Sequence, residues 1–228
     1  MKLAIFSDIH GNYQALKAIF KKIGNDYDEV IFLGDAIGIG PDSYECVKLL
    51  QEKKVRFISG NHDLYYIRGP QIDEDLKGLQ LEHHNWVTKT LKGIKIEDNL
   101  RYDHNYGGVS FSFFHFFINN EEYPFEHLDI FNDNRYVNVF KKEKAKYVFY
   151  GHNHDEEFRE IDGTKYYGVG SSGCTKNGKT YFYSVIIKDK NVSVKKVSIK
   201  YDRRSFVNRM KSINYPDKKA IESIFFGL

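Results

Sequence analysis

The sequence predicts an α/β fold in which two sheets pack together with helices on their outer faces, an α-β-β-α sandwich of four layers. Three observations carry this. Residues 2 to 60 repeat a short apolar run, a turn and an amphipathic stretch, the pattern of buried parallel strands joined by right-handed crossovers. Later apolar runs come with hairpin signals instead of long helices. The length of 228 residues suits one domain at roughly 100–200 residues per domain.

Lys2 to Ser7 reads as the first strand, stopped by Asp8 and Gly11. Tyr13 to Ile23 reads as a helix because Ala15, Leu16, Ile19, Phe20 and Ile23 recur at helical spacing. A second unit follows: strand Val30 to Leu33, the break Gly34-Asp35, a loop to Pro41, and a helix over Tyr44 to Glu52. The third strand, Val55 to Ser59, ends in Gly60-Asn61-His62-Asp63. Residues 72 to 92 are expected to be helical, with Leu76, Leu79, Leu81, Trp86, Val87, Thr90 and Leu91 as the apolar face, and 64–107 to form a helical cover over the site. Val109 to Ile118 and Lys146 to Tyr150 are apolar strands, with a helix expected over Tyr136 to Lys144. Antiparallel strands run on to residue 200, punctuated by Asp162-Gly163 and Asn177-Gly178. Short helices near 203–212 and 216–225 close a single domain spanning 1–228.

Lys and Arg total 34 against 31 Asp and Glu, a net charge of +3. So mild a balance gives no reason to expect a dedicated nucleic-acid binder with an extreme electrostatic footprint and leaves a polyanionic substrate open. The tail cations, among them Lys195, Lys196, Arg203, Arg209 and Lys218, are interspersed with acids and read as a solvated face. Hydrophobic residues make up 41%, and Phe, Tyr and Trp number 18, 17 and 1, which excludes a disordered chain. No apolar run approaches the roughly 18 residues of a membrane span. Cys46 and Cys174 have neither metal spacing nor a disulfide role. A cytoplasmic protein with no membrane partner is expected, and a homo-oligomer is left open.

Ligands of open α/β sheets gather at the carboxyl ends of the strands, and the metal-ligating side chains fall there. Asp8 and His10 follow the first strand, Asp35 the second, Asn61 and His62 the third; His115 lies in the 109–118 strand, and His152 and His154 follow 146–150. Alternation along an extended segment would point Asp8 with His10, and His152 with His154, into one cavity, with Cα atoms about 6.8 Å apart. That spacing suits two ions about 3.5–4 Å apart. The mixed nitrogen and oxygen set fits Mn, Fe, Ni or Zn and not a calcium cage or an iron–sulfur cluster. An Asp-x-His pair is weak on its own, whereas Gly-Asn-His-Asp arises by chance in on the order of 10⁻³ of chains this long. His83, His84, His104 and His127 have no partner spacing and read as ordinary surface or helix histidines; Trp86 reads as core.

In this order, Ser7-Asp8-Ile9-His10-Gly11-Asn12, Gly34-Asp35, Gly60-Asn61-His62-Asp63, His115 and Gly151-His152-Asn153-His154 resemble the calcineurin-like metallophosphoesterase superfamily over the whole chain. Gly38-Ile39-Gly40-Pro41 and Gly170-Ser171-Ser172-Gly173 are similar to its small bacterial and archaeal phosphodiesterases, the diadenosine-tetraphosphatase-like group. One departure is Phe116 after His115, where the family usually has Gly.

The resemblance implies two divalent metal ions per chain, Mn first and Fe, Ni or Zn as alternatives. Asp8, His10, Asp35 and His154 would hold one ion and Asp35, Asn61, His115 and His152 the other, with Asp35 shared. His62 would face the leaving oxygen and Asp63 would orient it. The implied reaction is hydrolysis of phosphodiester or phosphoanhydride bonds in small, nucleotide-like phosphorylated substrates by a hydroxide bridging the ions. A non-catalytic interaction scaffold on the same fold and a nuclease are the alternatives. A protein phosphatase of the calcineurin subgroup is disfavoured, since Ala36-Ile37-Gly38 replaces the expected Asp-Arg-Gly.

Overall fold

In the computed structural model, which describes residues 1–70, 76–116 and 144–228, strand β1 (Lys2–Phe6) sits at the centre of the first sheet. Its alternation sorts the core: Leu3 and Ile5 face a second sheet, Ala4 and Phe6 face helices, and all four are fully buried. Helix α1 (Tyr13–Ile23), strand β2 (Glu29–Phe32), helix α2 (Ser43–Glu52) and strand β3 (Arg56–Phe57) follow, with β1, β2 and β3 parallel. Helices α3 (Asn61–Arg68) and α4 (Leu79–Thr90) lead to strands β4 (Arg101–Tyr106) and β5 (Val109–Phe114). Strands β6 (Tyr147–Tyr150), β7 (Glu156–Ile161), β8 (Thr164–Val169), β9 (Lys179–Lys188) and β10 (Asn191–Lys200) complete the sheets. Helix α5 (Arg203–Ser212) and a last turn, α6 (Lys218–Ile221), which widens into a π-type turn over Glu222–Phe226, end the chain.

The result is two mixed five-stranded sheets flanked by helices, ordered β10-β9-β1-β2-β3 and β4-β5-β6-β8-β7. Between them Leu3, Ile5, Ile31 and Leu33 meet Phe111, Phe113 and Phe149. On the other face of the first sheet, Phe6 and Phe32 pack with residues of α1, α2, α4, α5 and the C-terminal turn, including Leu16, Cys46, Val87, Phe206 and Phe226. Full burial of one such side chain contributes about 1.5–3 kcal/mol, against about 0–1 kcal/mol for a surface ion pair such as Arg68–Asp98. Apolar layering therefore dominates the stability of the sandwich. Several tail cations are tied down locally: Arg209 pairs with Asp42, Lys196 with Glu156, and Lys218 donates to the Ile213 carbonyl. No helix among the described residues is long and apolar enough to cross a membrane.

The structure corrects the expected elements in several places. Val55 to Ser59 shortens to Arg56–Phe57, because β3 is an edge strand and the Ser59 N–H turns away to the Asn99 carbonyl at 2.7 Å. Asn61, His62 and Asp63 do not end a strand; they open α3, and the Asp63 carboxylate, in its first turn, accepts from the Gly60 N–H at 3.0 Å. Within 64–107 the helices end with α4, and Arg101–Tyr106, expected to be part of a helical segment, is an edge strand of the second sheet. Only Tyr106 of that strand is buried, so apolar periodicity could not announce it. Asp162-Gly163 does make the β7–β8 hairpin, whereas Asn177-Gly178 merely precedes β9; the β9–β10 hairpin turns on Asp189 and Lys190, both with positive φ. The helix expected over Tyr136 to Lys144, His127, residues 72–75 and the end of the Val109 to Ile118 strand lie outside the described residues.

Candidate metal centre

Loops at the carboxyl ends of β1, β2, β5 and β6 and the start of α3 meet at one place, and they are bonded to one another. The Asp8 N–H donates to the Gly34 carbonyl, His10 N–H to Asp35, Gly151 N–H to His115, and Gly173 N–H to Asp8, all at 2.9–3.0 Å. Asn12 caps α1 through Oδ1 and donates Nδ2–H to the Gly173 carbonyl at 2.8 Å; Ser171 Oγ donates to the Asp8 carbonyl at 2.8 Å. Gly34, at φ +102°, lies so close to Gly60 that a Cβ would stand 2.4 Å from its nitrogen. Only glycine fits there.

All seven expected ligands converge, but not by strand alternation. Asp8, His10, Asp35, His152 and His154 have φ of +54°, +44°, +59°, +74° and +60°, a left-handed backbone that costs an L residue roughly 1–2 kcal/mol. Such strain concentrates where function requires it. The bonds just described hold Asp8, His10 and Asp35, while the His152 N–H donates to Asp8 Oδ2 at 3.2 Å and the His154 carbonyl accepts from the Ser171 N–H at 3.0 Å.

His10 Nδ1 donates to the Ile37 carbonyl at 3.0 Å and His115 Nδ1 to the Leu33 carbonyl at 2.6 Å, since a carbonyl can only accept. Each Nε2 is thereby turned inward, as second-sphere bonds do for ligating imidazoles. His10 Nε2 lies 3.6 Å from Asp8 Oδ1, 3.5 Å from Asp35 Oδ2 and 3.0 Å from His154 Nε2. Asp8 Oδ1 is 3.5 Å from His154 Nε2. His115 Nε2 is 3.4 Å from the same Asp35 Oδ2 and 4.0 Å from Asp8 Oδ1. His152 Nδ1 and Asn61 Oδ1 are 3.0 Å apart, and the His152 ring meets that of His115 edge-on at 5.4 Å.

These contacts fit a cation. Asp8 Oδ1 and His115 Nε2 are buried without a hydrogen-bond partner of good geometry. Donors that each sit about 2.0–2.2 Å from one ion can be at most about 4.4 Å apart, and the separations above satisfy that limit. Burial alone would raise the Asp8 carboxyl, but His115, His10 and His154 hold it well below the usual carboxylate range. Asp35 behaves likewise: burial opposes ionisation, and facing His115 and His62 overcome it. Burial depresses His115, yet Asp35 and Asp8 raise it to about 9, so this cluster of anions already recruits positive charge.

His62 and Asp63 part ways. The His62 N–H donates to Asp35 Oδ1 at 2.9 Å, and its ring lies edge-on to His10 at 5.0 Å on one side and Tyr65 at 5.8 Å on the other. Gly38, at φ +84°, makes room for that ring: a Cβ there would be 2.5 Å from His62 Nδ1. Burial pushes the imidazole down to about 3, so it is neutral at pH 7. Asp63 makes no hydrogen bond to the His62 ring. Its carboxylate accepts from the backbone N–H groups of Asp35 (2.8 Å), Ala36 (3.1 Å) and Gly60 (3.0 Å), and burial with the adjacent Asp35 charge raises it to about 7.

Asp63→Ala would strand three buried donors at about 1–3 kcal/mol each. It is expected to cost more than ~3 kcal/mol, a fall in Tm of at least ~6 °C by calorimetry. An unchanged Tm would refute this anchoring.

A family model described as the calcineurin-like phosphoesterase superfamily domain matches residues 1–191. The chain belongs to this superfamily. Among curated relatives, the uncharacterized protein MJ0912 of Methanocaldococcus jannaschii is 28% identical over 97% of this chain and 91% of its own length. A symmetrical bis(5'-nucleosyl)-tetraphosphatase of Buchnera aphidicola is 30% identical, over 48% of this chain and 45% of that relative. Among solved structures, hypothetical protein PH1004 from Pyrococcus horikoshii aligns with a TM-score of 0.75 at 15% identity, covering 100% of this chain and 98% of that one. A metallophosphoesterase from Sphaerobacter thermophilus gives 0.68 at 20% identity, covering 100% and 99%. The calcineurin-like fold is thus shared across the chain.

Sequence reasoning missed four residues at or beside the site. Asn12 and Ser171 stood inside quoted motifs without a role. Cys174, dismissed for want of spacing, brings its sulfur within 4.8 Å of ligand atoms of His10 and His154. Burial pushes its thiol well up. His83, read as ordinary, is buried beside the site, with Nδ1 3.2 Å from the Pro216 carbonyl; Trp86, partly buried against the core, stacks on it and meets Tyr215 at a tilt.

Proposed function

We propose that this protein is a dinuclear-metal-dependent phosphoesterase that hydrolyses phosphodiester or phosphoanhydride bonds of small, nucleotide-like substrates. The observation that carries the reading is the position of Asp35 Oδ2, 3.5 Å from His10 Nε2 and 3.4 Å from His115 Nε2. One carboxylate thus serves two groups of donors. Asp8, His10, Asp35 and His154 would hold one ion and Asp35, Asn61, His115 and His152 the other, with Mn²⁺ the proposed metal and Fe, Ni or Zn its competitors. When bound, such ions acidify a water into a nucleophile near neutral pH and neutralise charge on the phosphoryl oxygens. No serine or cysteine nucleophile is needed.

The protein's own residues supply the rest. His62 stands at the edge of the ligand cluster, where the departing oxygen of an in-line displacement would lie. Neutral in the free site, its imidazole gains a proton more readily beside an anionic phosphate, and it then delivers that proton to the leaving oxygen as the P–O bond breaks. Asp63 is a positioning residue: by fixing the backbone of Asp35, Ala36 and Gly60 it sets the distance between Asp35 and the start of α3. The Buchnera relative's name supports a nucleotide-like substrate, and the full donor set with His62 speaks against a scaffold.

The test is hydrolysis of bis-p-nitrophenyl phosphate. Turnover is expected with Mn²⁺ and is expected to vanish on chelation and return on adding back the ion. Full turnover in excess chelator would overturn the reading.

A further inference from the structure

A cavity of about 290 Å³ opens beside the ligand cluster, with Asn61 and His62 on one wall and α4 and the C-terminal turn on the other. Its surface is mainly apolar, contributed by such residues as Leu76, Val87, Ile221 and Phe225, and the Tyr65 ring lies between His62 and His84, edge-on to both at 5.8 and 6.2 Å. Among the described residues that line it there is no Lys or Arg, and Asp217 adds a carboxylate. Among the described lining residues, a chain of further phosphates would meet no Lys or Arg. A neutral ring would find apolar walls and an aromatic face.

The α4 wall carries three polar side chains, Gln80, His83 and His84, of which His84 Nε2 lies 3.5 Å from Thr88 Oγ1. Because His83 Nδ1 donates to the Pro216 carbonyl at 3.2 Å, its Nε2 is left as an acceptor, and that atom is buried with no hydrogen-bond partner. Burial lowers this imidazole to about 4, which keeps the acceptor free at neutral pH. A buried acceptor without a partner is costly, and a ligand N–H would relieve it.

We infer that this cavity receives the nucleoside on the leaving side of a phosphodiester, with Gln80 and His83 binding the polar edge of its heterocycle. The cavity adjoins His62, the residue placed at the leaving oxygen, and its described lining offers no Lys or Arg as a counter-charge for phosphate. The preferred substrate is therefore a nucleoside ester and not a polyphosphate anhydride. This inference rests on the phosphoesterase reading for its leaving-side role.

The test is binding of unphosphorylated nucleosides (adenosine, guanosine, cytidine and uridine) followed by ligand-observed NMR, which needs no turnover. At least one is expected to bind the wild-type protein in the millimolar range or tighter. Ala220→Trp, which fills the cavity, should abolish binding, and Gln80→Ala, at an exposed and fold-neutral position, should weaken it about tenfold. In parallel, kcat/KM with Mn²⁺ is expected to be higher for a dinucleoside monophosphate than for a dinucleoside tetraphosphate. Absence of nucleoside binding, binding unchanged in both variants, or the opposite substrate order overturns the inference. Bis-p-nitrophenyl phosphate hydrolysis without nucleoside binding would sink the cavity's role alone. Nucleoside binding without any ester hydrolysis would sink the phosphoesterase reading and the leaving-side role with it.

Discussion

Asp35→Ala is expected to reduce metal-dependent diester hydrolysis by at least ~10³-fold, since it removes the ligand proposed to be common to both halves of the centre. The same carboxylate also accepts the His62 N–H through Oδ1, so the alanine variant disturbs the start of α3 as well. Asp35→Asn separates the two effects. It keeps an oxygen for the His62 N–H while replacing the other carboxylate oxygen by an amide group that cannot ligate. Its Tm should stay near that of the wild type while kcat/KM falls by a factor similar to that of the alanine variant. Retention of a tenth or more of the activity by either variant at saturating Mn²⁺ would contradict the shared-ligand role.

The second large effect concerns His62. A general acid matters in proportion to the basicity of the oxygen it protonates, because a poor leaving group needs the proton in the transition state and a good one can leave as the anion. His62→Asn should therefore lower hydrolysis of a nucleoside or alkyl ester by about 10²–10⁴-fold, and that of a p-nitrophenyl ester far less. The asparagine leaves the backbone N–H that reaches Asp35 in place, so metal content should be intact. Equal losses for both ester classes, with metal retained and chemistry rate-limiting, would assign His62 to phosphate positioning instead.

Much of this was legible in the sequence, because the informative signals were local. The apolar spacing of α1 and the continuous strands β1, β2 and β6 each describe a face that must be buried. The clustering of Asp8, His10, Asp35, Asn61 and His62 after successive strands follows from the topology of parallel sheets. What failed was the reason for convergence: alternation along extended backbone cannot produce residues at φ of +44° to +74°. Those conformations come from loop-to-loop bonds between residues as distant as Asn12 and Gly173, which no local pattern encodes. The same limit hid Asp63's backbone anchoring, which joins β2's loop to α3, and the edge strand β4, whose one buried side chain leaves no periodic trace. His83 escaped notice because its burial depends on Pro216 and Tyr215, more than a hundred residues away.

The most direct test of the account is a count of tightly bound ions. Protein stripped of metal, reloaded with excess Mn²⁺ and desalted should carry close to two ions per chain by elemental analysis, and Asp35→Asn should carry fewer than one. A stoichiometry of one that Asp35→Asn leaves unchanged would contradict a centre built around a shared carboxylate.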